Sequence, residues 1–248
     1  MLSSSPTFRP QPFPEITILE RRLEPEVMDT SEDAHDYDSM DHSTVNRVFV
    51  DDFLTFARAN GFDLRLVDPV RPLRLLDVGT GTALIPIELC RRQFTGRVVA
   101  IDLADEMLKL ANLNIARAGF ANQIQAARID AKRMPYQTNE FDGVISNSIV
   151  HHIPEPSAAL AEMARVLDHG GMLFVRDLLR PESLAAVDRL VATYAGRENS
   201  HSQLLFRDSL HAALSLEEVR DLASGYGMPA TAVSETSDRH WTLAWTNG

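Results

Sequence analysis

Cysteine is nearly missing from this chain: Cys90 is the single one in 248 residues. One thiol cannot close an intrachain disulfide, and it excludes a zinc cluster built on cysteines. No apolar run approaches the roughly 20 residues that span a bilayer. The opening stretch, broken by Pro6, Pro10, Pro12 and Pro14, lacks the apolar core of a secretory signal. A cytoplasmic protein without membrane insertion is therefore expected. Cationic side chains are scarce too, 24 Lys+Arg against 35 Asp+Glu, for a formal charge of −11. Broad binding to a phosphate backbone needs the opposite balance, so no nucleic-acid partner is expected. The phosphate-loop pattern G-x-x-x-x-G-K-[ST] is absent.

What is present is an alternation of strands and helices. Residues 1–14 read as a flexible tail, and Glu24 to Asp41 as an acidic stretch. Val45, Val48, Phe49, Phe53, Phe56 and Ala57 then trace a helical stripe ending near Gly61. Strands are expected at Leu73–Val78, Arg97–Ile101, Ile124–Ile129, Phe141–Ser146 and Met172–Val175. Between them lie helices at Ala83–Arg92, Asp105–Ala118 (closed by Gly119) and Pro156–Leu167, the last stopped by Gly170-Gly171. Repeated strand–helix units imply parallel pairing with right-handed crossovers, hence an open doubly wound sheet. Ser183–Tyr194 reads as a further helix and Gly196–Ser202 as a loop. Ser215 and Glu218 form a capping box opening a helix that ends at Gly225. Ala230–Glu235 and His240–Thr246 should pair antiparallel at the sheet edge.

In such a sheet ligands bind outside the carboxyl ends of the strands. The first of these ends is Leu75-Leu76-Asp77-Val78-Gly79-Thr80-Gly81-Thr82. Its glycines permit a sharp turn and a close backbone approach to a ligand. Asp102 ends the next strand at the spacing of a ribose-binding acid. A dinucleotide site would want a third glycine where Leu84 stands, which counts against an NAD-dependent oxidoreductase.

The stretch Leu75–Ala83 resembles the first motif of the class I S-adenosylmethionine (SAM)-dependent methyltransferases. Asp102 is similar to that family's ribose-binding acid, and Arg128-Ile129-Asp130-Ala131 to its third motif. Phe141–Asn147 resembles the fourth motif and Gly170-Gly171-Met172-Leu173-Phe174 the glycine-led fifth strand. The resemblance implies a Rossmann-like α/β sheet of seven strands with an antiparallel last strand, occupying residues 71–248. It also implies SAM as cofactor, with S-adenosylhomocysteine as its product, and a small-molecule acceptor. Gly79, Thr80 and Gly81 would then face the methionyl carboxylate and Asp77 the ammonium. Asp102 would face the ribose, Asp130 and Ala131 the adenine, and Leu103, Met107 and Asn147 complete the expected cofactor-binding set. Acids suit a cationic sulfonium better than a basic lining would.

Tyr37-Asp38-Ser39-Met40-Asp41-His42 resembles the N-terminal segment of quinone C-methyltransferases. By that likeness residues 15–70 form a helical cap, with Tyr37 and Met40 closing over the cofactor. The alternative is a solvated acidic face. A metal site from His35, Asp36, Asp38, Asp41 and His42 is weighed against the same alternative, and no metal is assigned. His151 and His152 follow the fourth strand where the transferable methyl should sit, and either could act as general base, His151 being placed first. The competing reading is that they orient the loop. Arg176 and Asp177 face the same rim or form a salt-bridged strand end. Gln203, Phe206 and Arg207 resemble the variable region that shapes the acceptor pocket, and Cys90 fits a buried core position. A SAM-binding module without turnover remains the main rival.

Overall fold

The computed structural model describes residues 19–25, 29–39, 43–65 and 71–248, with only the backbone described at Asp33, Asp36, Tyr37 and Ser39. The expected tail and Met40, Asp41 and His42 lie outside the described residues.

The strands are β1 (Arg74–Val78), β2 (Arg97–Asp102), β3 (Ile124–Arg128), β4 (Phe141–Asn147), β5 (Leu167–Leu178), β6 (Val233–Ser237) and β7 (His240–Thr246). They form one sheet in the order β3-β2-β1-β4-β5-β7-β6. The first five strands pair in parallel, while β7 runs antiparallel to β5 and to β6. The expected doubly wound architecture with an antiparallel closing strand is thus observed. Strand order reverses between β1 and β4, both of which start crossovers to opposite sides. Their carboxyl ends therefore leave a crevice.

The helices are α1 (Ser31–Ser39), α2 (Ser43–Ala59), α3 (Leu84–Arg91), α4 (Asp105–Ala118), α5 (Pro156–Val166), α6 (Leu184–Tyr194), α7 (Ser200–Ala212) and α8 (Leu216–Gly225). Alternation along β1 sends Leu75 to one apolar core and Leu76 and Val78 to the other. Cys90 is buried in the first of these, where desolvation pushes its thiol up to about 11. Gly119 closes α4 at φ +80, and the Ser215–Glu218 capping box opens α8 with both hydrogen bonds made.

Three local expectations need correction. The buried stripe of α2 is Phe49, Val50, Phe53, Leu54 and Ala57, while Val45 and Val48 stay exposed. Here the aromatic residues, not the valines, decide which face meets β5. The β5 strand is longer than Met172–Val175, because β7 pairs with it as far as Leu178 opposite His240. Finally, Gln203, Phe206 and Arg207 lie on α7, which the polar sequence concealed. Asn199 caps that helix through the Ser202 amide, and Leu210, His211 and Ala212 are buried.

Helix α2 is fixed to the sheet by an aromatic and ionic contact. Phe49 meets Phe174 edge-on with ring centres 5.3 Å apart, and Phe53 lies 5.7 Å from the same ring. The Arg176 guanidinium stands 5.7 Å from the Phe174 ring and reaches Asp52 at 2.7 Å and Thr242 Oγ1 at 2.9 Å. Arg176 is buried whereas Asp52 is half exposed, so losing the carboxylate leaves a desolvated cation with a single hydroxyl partner. Asp52→Ala should destabilise the protein by about 1–3 kcal/mol. Urea denaturation checks this, with Asp51→Ala, on an exposed ion pair to Arg92, expected to cost less than about 1 kcal/mol.

Candidate functional site

The crevice at the β1–β4 reversal is a cleft of about 810 Å3, including the space open to solvent at its mouth. Gly79 and Gly81 form its floor, both with left-handed backbone, at φ +72 and +55. Gly79 also has no room for a side chain: a Cβ there would fall 2.3 Å from Ile149 Cδ1. Ala83 too is left-handed, at φ 64, as the chain enters α3.

The turn amides are less available than the sequence suggests. Those of Gly79 and Thr80 both donate to the Ile101 carbonyl, at 2.8 and 2.9 Å. The Gly81 amide donates to Asp102 Oδ2 at 2.8 Å, and the Ala104 amide to Asp102 Oδ1 at 2.9 Å. Each Asp102 oxygen is thereby held in place and keeps a lone pair for a hydroxyl in the cleft. Burial raises the Asp102 pKa, opposed by its backbone donors.

Asp102, Leu103, Met107, Asp130, Ala131, Asn147 and His152 all line the cleft, with Ile101, Ile129, Ile149 and Ile153 as apolar wall. Burial would raise the Asp130 carboxyl, but the Lys132 amide at 2.9 Å and ammonium at 3.0 Å hold it below its ordinary value. Lys132 is a lining residue that the motifs did not single out.

Asp77, Thr80 and His151 do not line the cleft. The side chain of Tyr37 is outside the described residues, as is Met40. Asp77 is buried at the end of β1 with its Oδ2 unpartnered. Desolvation, reinforced by the Asp102 charge, pushes its carboxyl up to about 7. Gln203, Phe206 and Arg207 are also away from the cleft. Phe206 packs against the core between α6 and α7, and Arg207 pairs with Asp188.

The two histidines divide. Asp177 accepts from the Val150 amide and the His151 Nδ1–H, each at 2.5 Å, so it caps the short turn and fixes the ring. Burial alone would lower the His151 pKa, but the charges of Asp177 and Glu24 hold it above the ordinary imidazole value. The His151 side chain is 4% exposed; that of His152 is 19% exposed and reaches the cleft. This reverses the order of preference that the sequence suggested.

A second unforeseen group is Glu24. Its Oε1 lies 3.5 Å from His151 Nε2 and 3.0 Å from His152 Nδ1, with the side chain 8% exposed. The neighbouring Arg21 secures this segment, donating to the carbonyls of His151, Ile153 and Ala212 at 3.2, 3.0 and 2.7 Å. No motif in the sequence connects Glu24 to the histidines. The acidic run around it reads equally well as a solvated face.

The methyltransferase domain family matches residues 76–175, which run from within β1 to within β5 and include the glycine turn from Leu76 onward. Over this stretch the chain is similar to S-adenosylmethionine-dependent methyltransferases. Among curated relatives it is 31% identical over 121 residues to a demethylmenaquinone methyltransferase of Porphyromonas gingivalis, covering 48% of this chain and 49% of that one. It is 33% identical over 132 residues to a phosphatidylethanolamine N-methyltransferase of Cereibacter sphaeroides, covering 52% and 63%. The chain thus spans about half the length of the curated relatives it matches first. A solved SAM-dependent methyltransferase of Methanococcus maripaludis shares the fold, with a TM-score of 0.65, 17% identity and coverage of 92% and 98%. No described helix of this chain is long and apolar enough to cross a membrane.

Asp77 gives the protein a pH signature. Its folded pKa of about 7 exceeds the unfolded value of 3.8, so the native state binds the extra proton between those values. The stabilising contribution of that proton is complete below about pH 4 and is lost as pH rises through 7. Without ligand, Asp77→Asn should therefore gain stability relative to the parent as pH rises from 5 to 8. The gain at pH 8 is on the order of a few kcal/mol, read from denaturation midpoints at each pH.

Proposed function

We propose that the protein transfers a methyl group from SAM to a small-molecule acceptor, the acceptor entering from the His152 end of the cleft. The single observation that carries this is Asp102. Two backbone amides aim its oxygens, leaving a pair of acceptors suited to the two hydroxyls of a ribose. The remaining residues suit the rest of the ligand. Asp130 can accept from the adenine amino group, and Ile101 and Ile129 offer apolar wall to the ring. Asp77 lies buried behind the glycine turn, so its charge acts on the ammonium through the wall and not by lining the cleft. Because the Gly79, Thr80 and Gly81 amides are engaged, Gly79 and Gly81 serve as floor and none of the three amides is left for the carboxylate.

SAM supplies an activated methyl on a sulfonium, which the acceptor displaces in line. The chain contributes alignment and exclusion of water, and these account for much of the acceleration available to such a displacement. An oxygen or enol-carbon acceptor must also shed a proton, and His152, which lines the cleft with Glu24 behind it, can take it. The relatives range from a demethylmenaquinone methyltransferase to a phosphatidylethanolamine N-methyltransferase, so acceptor identity follows from the cleft and not from the likeness. A cytoplasmic setting and the 15–70 cap, with Tyr37 and Met40 over the cofactor, belong to the same reading.

Calorimetry should show binding of SAM and S-adenosylhomocysteine. Asp102→Ala should weaken both by about 1–3 kcal/mol, the range for a charge-assisted hydrogen bond; unchanged affinity would remove Asp102 from the site. Metabolite screening by mass then separates an enzyme, which adds one methyl to an acceptor, from a module that only binds.

The cap has its own test. If α1 and the segment after it close over the cofactor, amides within residues 30–60 exchange more slowly with S-adenosylhomocysteine bound. Equal exchange with and without ligand would leave α1 as a solvated face.

A further inference from the structure

We propose that Glu24, His151 and His152 form a binding site for one divalent transition-metal ion of the zinc type. The argument begins with one atom. Glu24 Oε1 faces two ring nitrogens at once, His151 Nε2 at 3.5 Å and His152 Nδ1 at 3.0 Å. His151 has its Nδ1 proton committed to the Asp177 carboxylate, so its Nε2 presents a lone pair to Glu24 unless a second proton is added. His152 Nδ1 is buried and faces the same oxygen at 3.0 Å. Holding this arrangement by protons alone needs two N–H groups converging on one oxygen. A single cation satisfies all three ligand atoms.

The spacing agrees with that occupant. The three atoms lie within 4.8 Å of one another. Ligands at about 2.0–2.2 Å from a tetrahedral ion stand roughly 3.3–3.6 Å apart, so small side-chain movements complete the geometry. Two imidazoles and a carboxylate favour zinc-like ions over magnesium. Asp177 then has a defined part, since a metal-bound histidine commonly donates its other N–H to a carboxylate that fixes the ring. Arg21 holds the Glu24 segment against the histidine turn through the His151 and Ile153 carbonyls and against α7 through that of Ala212. The set uses none of the group His35, Asp36, Asp38, Asp41 and His42, to which the sequence assigned no metal.

Three protein ligands leave a fourth position, and His152 borders the cleft. Resting on the methyl-transfer reading, that position would take an acceptor oxygen. Coordination would make its proton easier to lose to water.

The test uses tag-free full-length protein, stripped with chelator and titrated with Zn2+ alone. One equivalent should bind, and X-ray absorption should show imidazole scattering at about 2.0–2.1 Å. Glu24→Gln and His152→Asn should each abolish stoichiometric uptake, and Asp177→Asn should weaken it 10–100-fold. His151 is too buried for its variant to be a clean test, so His152→Asn carries that arm. No uptake, uptake indifferent to Glu24→Gln and His152→Asn, or a preference for Mg2+ would overturn the site and leave a proton-held cluster. S-adenosylhomocysteine affinity, measured on the same samples, reports the methyl-transfer reading separately. Its absence would defeat that reading without touching the metal result.

Discussion

Everything in the cleft depends on one topological constraint, the reversal of strand order at β1. Because β2 lies on one side of β1 and β4 on the other, the chain must leave β1 and β4 in opposite directions. The backbone leaving β1 has to turn into α3 within a few residues, which accounts for the left-handed conformations at Gly79, Gly81 and Ala83. The same turn sends the Gly79 and Thr80 amides back to Ile101 and the Gly81 amide to Asp102. Strand ends and cleft-facing carboxylate are therefore locked together by the bonds that make the turn possible.

The second organising element is a polar layer beneath the histidines. Asp177 ends in a buried position where an unpaired carboxylate would be costly. It is satisfied by the Val150 amide, its neighbour's amide and the His151 ring. Burial would raise its pKa, yet the His151 charge keeps it low. One residue earlier on β5, Arg176 performs the corresponding task on the opposite face, joining α2 to the sheet through Asp52. Adjacent positions of a single strand thus serve the chemistry on one side and the anchoring of the N-terminal helix on the other, as the twofold alternation of a strand dictates.

Most of the sheet could be read from the sequence because strand–helix alternation, Gly119 and the Ser215 capping box are local signals. The positions of Asp102 and Asp130 on the cleft were legible for a similar reason: Asp102 ends β2 and Asp130 follows β3 by two residues. Helix α7 was not, since its interior carries Ser202, Gln203, Arg207 and Asp208, and its stability comes from packing on α6. The division between His151 and His152 was equally hidden. Adjacent residues in a short turn point in directions that only Asp177, 26 residues beyond His151, can decide. Glu24 lay furthest from reach, because a contact between distant segments leaves no periodicity behind.

The placement of Glu24 bears on how such proteins diverge. The family match covers 76–175, yet the acid against the histidine turn comes from an N-terminal segment outside it. Recombination or drift in the first thirty residues could replace that acid while leaving every strand, and every recognisable motif, intact. Two chains indistinguishable by their shared domain could then differ in the charge presented to an acceptor. Lineages sorted by the domain alone would mix distinct chemistries, and residues 19–25 would be the characters that separate them.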